Sequence, residues 1–488
     1  MRRVALALIV VLVAGACSST GKKQSTISDD TSSGTTAAAS SGPGGAKGPA
    51  GGKSSGRGSV GGSAPGSSGA GSAGRSSRGA ATAVPVGGTI KVGMVIDTGN
   101  PGAAFGVDAS QDEHTADYAK ALVADMNSHG GLGGRKIQLF IAKVDTTDQS
   151  SATQTRLHNE ACTSLTEDKK VFVVVIAALN SFYGFGCYAS HHTPALPGDP
   201  FSDDADLRQF LPWVLPGLGP NFTRVAGYFP AALKAQRYMT NKMAVITYDT
   251  PGTRRAVKTL ISNIGKQGGK VIDSVYVPVT YEGLASSIAS AALRFQQNGV
   301  DRVVAFPASG AWFVFTKQAE SQRYRPRYAL TSYDTPQSYI DQLPDGARVP
   351  PEQLKDAVGI GWEPGSDVPD PVYPPTRNEK ACWAVINKRT GSNFSGRDTE
   401  NSGSPALSLC GLFWVLRAAL APTATTQLRQ VDVIKYMTAL GSSWEPLSVP
   451  RSYFAPGRVD GAAVYRYLAY DAGKDRFTYT SGWLDVPR

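Results

Sequence analysis

Aromatic residues are missing from the start of this chain; the first is Phe105. Residues 18–88 hold 19 Gly and 17 Ser among 71 positions. Such a stretch cannot bury enough apolar surface to offset its ordering entropy, so it reads as a disordered tether. As a flexible coil it would span roughly 45 Å root-mean-square. Acidic residues are scarce there too. Residues 1–88 carry nine Lys/Arg and two Asp, against 40 basic and 37 acidic side chains in the remaining 400 residues. The overall charge of +10 is therefore mostly a property of the tether. A nucleic-acid-binding protein would concentrate positive charge on a folded face, so no nucleic acid partner is expected. The foldable part, residues 89–488, contains no G-x-S-x-G and no C-x-x-C. The five histidines (His114, His129, His158, His191, His192) do not fall at ligand spacings with the cysteines. His191 and His192 are adjacent, so on a helix they would point about 100° apart. The reading is no enzyme, no metal and no cofactor.

The first 17 residues, MRRVALALIVVLVAGAC, follow a signal-peptide plan. Arg2 and Arg3 precede an apolar run, Val4 to Val13, too short to span a bilayer. Small residues then lead to Cys17. The segment resembles a bacterial lipoprotein signal, in which that cysteine is lipidated, although Ala14 stands where such signals usually carry Leu. The alternative is an ordinary secretory signal with an incidental cysteine. Lipidation would anchor the chain to the outer face of the cell membrane without spanning it, and no later segment is expected to cross a membrane. The other four cysteines are an even count in an exported chain and read as disulfides, with Cys162–Cys187 and Cys382–Cys410 as the local pairs.

From Thr89 the chain alternates apolar strands with helices. Ile90–Ile96, Lys136–Ala142 and Val171–Ile176 form one series. Met243–Tyr248, Lys270–Tyr276, Arg302–Phe306 and Tyr328–Tyr333 form a second. Val/Ile-rich runs flanked by helices mark parallel sheets covered on both faces. The expected fold class is α/β, with two doubly wound parallel-sheet lobes joined by hinge crossings. Lobe 1 is read as 89–212, completed by about 357–445. Lobe 2 is read as 213–356, completed by about 446–488. The Pro/Gly-rich stretch Phe210–Pro220 separates them.

One stretch carries a resemblance. IKVGMVIDTG and AAFG are followed by VADMNSHGGLGGRKIQLFIAKVDTTD, in which Asn127, Gly130, Gly131, Leu132, Gly133, Gly134, Arg135 and Lys136 form a helix-to-strand turn. The glycines follow a helix and precede a strand, the reverse of a phosphate-binding loop, so they read as a helix C-cap and tight turn. The sequence resembles type I periplasmic solute-binding proteins of the branched-chain amino acid (Leu/Ile/Val-binding) ABC transporter family. The resemblance implies an interlobe cleft that closes on a small solute, an amino acid or related amide, for the permease subunits of an ABC importer. It places ligand contacts at Phe105, Asn180, Ser181, Pro197, Tyr248, Thr250, Phe306 and Asp334. In this scheme Ser181 is the hydroxyl donor to a ligand carboxylate and Asp334 the partner of an ammonium. The plain alternatives are a helix cap for Asn180 or Ser181, core for Phe105, and a loop cap for Asp334. Pro251 before Gly252 departs from the family's usual Tyr-Gly pair, which leaves Tyr248 or Thr250 to substitute. A ligand-sensing module without an importer would share the same fold, and a structural envelope protein with a degenerate cleft is a third reading.

Overall fold

The computed structural model describes residues 83–487, apart from 101–113, 149, 179–180, 200, 279–283, 342, 344–347, 398–402 and 448. Cys17 and nearly all of the Gly/Ser stretch lie outside the described residues, as do Phe105 and Asn180. The first lobe contains β1 (Thr89–Thr98), α1 (Thr115–Ser128), β2 (Lys136–Asp145), α2 (Ser151–Thr163), β3 (Val173–Ile176), α3 (Phe185–Ser190), β4 (Ala195–Pro197) and α4 (Asp204–Arg208). Its sheet is fully parallel in the order β2-β1-β3-β4. The chain then builds α5 (Phe222–Ala235), β5 (Met243–Tyr248), α6 (Pro251–Lys266), β6 (Val271–Val277), α7 (Leu284–Gln297), β7 (Arg302–Ala305), α8 (Ser309–Ser321) and β8 (Arg327–Thr331). After the short helices α9 (Ser338–Asp341) and α10 (Pro351–Leu354) come β9 (Val358–Gly361) and α11 (Pro364–Asp367). Then α12 (Arg377–Thr390), α13 (Ser404–Leu420) and α14 (Gln430–Ala439) return to the first lobe, and β10 (Val464–Asp471), β11 (Arg476–Tyr479) and β12 (Leu484–Asp485) to the second. The second sheet runs β11-β10-β9-β8-β7-β5-β6, with β12 on β10.

Each sheet is covered on both faces, as its strand composition requires. Val173 and Val175 pack with α1, α12 and α13, whereas Val174 and Ile176 pack with α2 and α3. The same two-residue alternation divides Val303 and Ala305 from Val304 in the second lobe. The disulfide Cys162–Cys187 ties α2 to α3, and Cys382–Cys410 ties α12 to α13. Both local pairings expected from the sequence are present.

Two expectations need correction. Val358–Trp362 was assigned to the segment completing the first lobe. Instead β9 pairs parallel with β8 and antiparallel with β10, so it belongs to the second sheet and the crossing follows it. No later segment was expected to suit a membrane, yet the helical stretch Ala406–Thr423 has the length and hydropathy of a span. Its apolar character has a different cause: α13 is a core helix, and Leu409, Cys410, Phe413 and Leu416 are all fully buried against α1, α12 and α14.

The Gly-rich turn after α1 folds as read. Gly130, Gly131, Gly133 and Gly134 all have positive φ, a region costly for residues with a Cβ. The Asn127 amide donates to the Ile137 carbonyl (3.0 Å) and accepts from the Ile137 N–H (2.7 Å), clipping the helix end to β2. Arg135 is fully buried and, among the described residues, has no carboxylate partner. Its guanidinium donates instead to the carbonyls of Val84, Pro85, Gly133, Thr423 and Thr426. Val84 also forms a two-bond bridge with Leu428. The chain thus enters the fold through a knot of three segments.

The chain passes between lobes near residues 215–221, 362–376 and 455–463. Asp460, 1% exposed, joins the first and third passages. It accepts from the Asn221 backbone N–H (2.9 Å) and side-chain amide (3.2 Å), from Arg224, and from Arg458 (3.0 Å).

Candidate functional site

In open parallel α/β sheets, ligands bind at the carboxyl ends of the strands. Of the eight residues placed there by the resemblance, six are described. Ser181 opens a 3₁₀ turn (Ser181–Gly184) five residues after β3. It is 1% exposed, and its hydroxyl has no hydrogen-bond partner among the described residues. A buried hydroxyl without a partner costs on the order of 1–3 kcal/mol. Pro197 ends β4 and pairs with Ile176 at the same sheet edge. The next N–H, of Gly198, donates to the Ile176 carbonyl at 3.0 Å, so the loops after β3 and β4 leave side by side.

The lobe 2 residues are more occupied. Thr250 is the N-cap of α6: its hydroxyl accepts from Thr253 N–H, and Thr253 Oγ1 accepts from Thr250 N–H, both at 3.1 Å. Tyr248 is half-buried at the end of β5. Phe306 is fully buried, edge-on to Phe222, beneath the strand ends. Asp334 is fully buried and engaged on both oxygens. It accepts from Ala308 N–H (2.8 Å), Thr331 N–H (2.8 Å) and Thr331 Oγ1 (2.9 Å). Asp334 therefore clamps the start of α8 to the end of β8, the capping geometry weighed as its alternative. Burial pushes its carboxyl up to about 7 despite these donors.

The two edges meet at residues the sequence did not single out. Asp199, two positions beyond β4, lies against the first crossing: a Cβ on Gly219 would come within 1.9 Å of Asp199 Oδ1. Glu363 follows Trp362 at the start of the second crossing. Its N–H is held by Asp367 Oδ2 (2.9 Å) and Ser332 Oγ (3.3 Å). Between them stands Tyr333, whose hydroxyl donates to the Pro220 carbonyl. Its ring packs against Trp362 (4.9 Å), Phe222 (5.1 Å) and Phe201 (5.7 Å). Negative charge on Asp199 and Glu363 bears on the Tyr333 hydroxyl, which burial already pushes well up. Burial raises Asp199 to about 6. Burial, then the charges of Asp199 and Asp367, hold Glu363 well above the usual carboxylate range. The sequence signal was an acid just past a buried strand in each case, within LPGDP and GWEPG.

A second tie crosses beside this region. Arg255 of α6 makes a fork with Asp203 (2.6 and 2.9 Å) and reaches Asp206, fastening the segment after β4 to the second lobe. Among the described residues, the one group with metal-ligand proximity is Cys162, Cys187 and His191, and its two cysteines are joined in a disulfide.

The fold matches solved solute-binding proteins over most of its length. One, from Rhodopseudomonas palustris BisB5 in complex with 3,4-dihydroxybenzoic acid, superposes with a TM-score of 0.59 at 14% identity, covering 82% of this chain and 98% of the other. Another, from Desulfitobacterium hafniense in complex with Leu, gives 0.55 at 17% identity, covering 80% and 99%. A possible leucine/isoleucine/valine-binding protein from Rhodopirellula baltica gives 0.58 at 12% identity, covering 82% and 98%. At these identities the likeness is one of fold. No curated protein matches the sequence. The profile of one family does match, over residues 89–347, more than half of the chain. With two doubly wound lobes, three crossings and strand ends that converge between them, this chain belongs to the periplasmic binding protein family.

Proposed function

We propose that this protein is an extracytoplasmic, non-enzymatic solute-binding lipoprotein. It captures a small amine-bearing solute, an amino acid or related amide, between its lobes and presents it to an ABC importer permease. The observation that carries the reading is the Ser181 hydroxyl, buried just past a strand end and without a partner among the described residues. A ligand oxygen there would satisfy it, and hinged lobes would supply burial and a conformational signal together. The R. baltica and D. hafniense neighbours give the amino acid its support, and the R. palustris neighbour extends the range to small aromatic acids. Lipidation of Cys17 would hold the protein at the membrane, with residues 18–88 as the tether.

A thermal-shift screen against amino acids, amides, short carboxylates and sugars tests this reading. A ligand that binds the native state raises the melting temperature by mass action, about 2.7 kcal/mol at a hundredfold excess over Kd. Ser181→Ala should weaken the response to a carboxylate-bearing ligand. No response to any class would overturn solute capture. A response to a solute by a protein that engages no permease would favour the sensing module.

A further inference from the structure

Asp199 and Glu363 stand apart from the other buried carboxylates. Asp460 is held by two arginines and Asn221. Asp203 is held by the fork of Arg255, and Glu379 faces Arg397 at 3.5 Å. Asp334 and Asp367 accept from backbone or hydroxyl donors. Among the described residues, no lysine or arginine acts on Asp199 or Glu363, and neither carboxylate accepts a hydrogen bond. The charge of Asp199 instead raises the cost of ionising Glu363. Both remain partly open to solvent, one just past a strand end of each lobe. An uncompensated pair in such a place is destabilising unless a proton or a cation joins it.

A second, independent feature sits at the same edge. The buried, unpartnered Ser181 hydroxyl follows β3, and β3 is the direct neighbour of the strand that leads to Asp199. The rings of Tyr333, Trp362 and Phe201 pack together beside the acids, those of Tyr333 and Trp362 buried. We infer that Asp199 and Glu363 form the cation-recognising pole of the cleft, so that its solute is an organic amine of net positive charge, a basic amino acid or a diamine. This rests on the cleft being a solute site. It moves the ammonium partner away from Asp334, whose oxygens are already engaged. It also sets this chain apart from the R. palustris neighbour, since a benzoate would meet two carboxylates and no counter-charge.

The elevated acids add a signature that a structural role would not give. A cation favours the ionised pair, so its binding should release the protons that the raised carboxyls retain. Affinity then rises as pH goes from 5 to 8. Tyr333 and Asp367 are the other titratable groups facing the pair, and neither opposes that direction.

The test is calorimetric titration of the purified chain with L-arginine, L-lysine, 1,4-diaminobutane, L-leucine and 4-hydroxybenzoate. It is run in two buffers of different ionisation enthalpy at pH 7. The inference expects binding of one or more cationic probes, proton release on binding, and at least a tenfold loss of affinity in Asp199→Asn and in Glu363→Gln. These isosteric changes remove a destabilising like charge, so the variants should fold, which a melting curve checks. Binding of leucine or hydroxybenzoate unchanged in both variants, with no cationic probe bound, would overturn the inference and leave solute capture standing. Cation binding without proton release and indifferent to both variants would overturn it too. Silence from all five probes would overturn the inference; silence across the broader screen as well would remove solute capture with it.

Discussion

Replacing Asp460 with alanine should be among the most damaging single changes in the second lobe's hinge. The carboxylate is 1% exposed and collects Asn221 N–H, the Asn221 amide, Arg224 and Arg458. Its removal leaves two guanidiniums, each 18% exposed, facing each other. Breaking a buried pair on one side costs about 3–5 kcal/mol. Arg224 keeps the Ala462 and Pro487 carbonyls, and Arg458 keeps the Asp460 and Ala462 carbonyls. These remaining acceptors place the loss near the lower end, about 3 kcal/mol. A cooperative unit of this size loses about 2 °C per kcal/mol, so the melting temperature should fall by roughly 6 °C. Differential scanning calorimetry reads it directly. The double variant Asp460→Ala/Arg224→Met should recover part of the loss, because it removes one of the stranded cations. A fall of under 2 °C in the single variant, or a double variant no better than the single, would refute the account of Asp460 as the hinge's charge centre.

Two further outcomes follow from described geometry. Arg135→Met removes a buried guanidinium that serves five carbonyls across three chain segments. It should cost about 2–3 kcal/mol in urea unfolding from the acceptors left unpaired, and proteolysis should cut more readily near Val84. The third concerns pH. Asp199, raised to about 6, keeps its proton in the folded chain over a range where the unfolded chain has lost it. The folded state then binds more protons, so stability falls as pH rises. This group's share is fully present below about pH 4 and lost as pH climbs through 6, with Glu363 extending the decline upward. Melting temperature measured without ligand should drop between pH 5 and 8, and Asp199→Asn should flatten the drop; a flat wild-type profile would sink the argument.

Much of the framework was legible because its signals are local. The Asn127–Lys136 turn needs positive φ at four glycines, and a helix on one side and a strand on the other set its sense. Val171–Ile176 is apolar at every position, short and Val-rich, as a strand in a doubly covered sheet is. The cysteine pairs are close in sequence and join neighbouring helices. What stayed hidden depends on distance along the chain. The clamp that Asp334 makes on the start of α8 depends on the Ala308 N–H, 26 positions earlier. Asp199 and Glu363 are ordinary loop acids until folding brings them together across 164 positions. β9 looked like the first piece of a return passage because its partners, β8 and β10, lie on both sides of it in sequence. α13 is apolar over most of its surface because α1, α12 and α14 pack against it, and its composition alone does not separate that setting from lipid.

The knot around Arg135 also decides how force enters the molecule. Anything that holds the chain ahead of residue 83 can pull on the folded body only through Val84. Val84 is latched to Leu428 and roofed by the Arg135 guanidinium. A tug there is shared among the turn after α1, the stretch after α13 and the start of β1, all in the first lobe. A load on the N-terminus would therefore fall on the first lobe rather than on the crossings to the second.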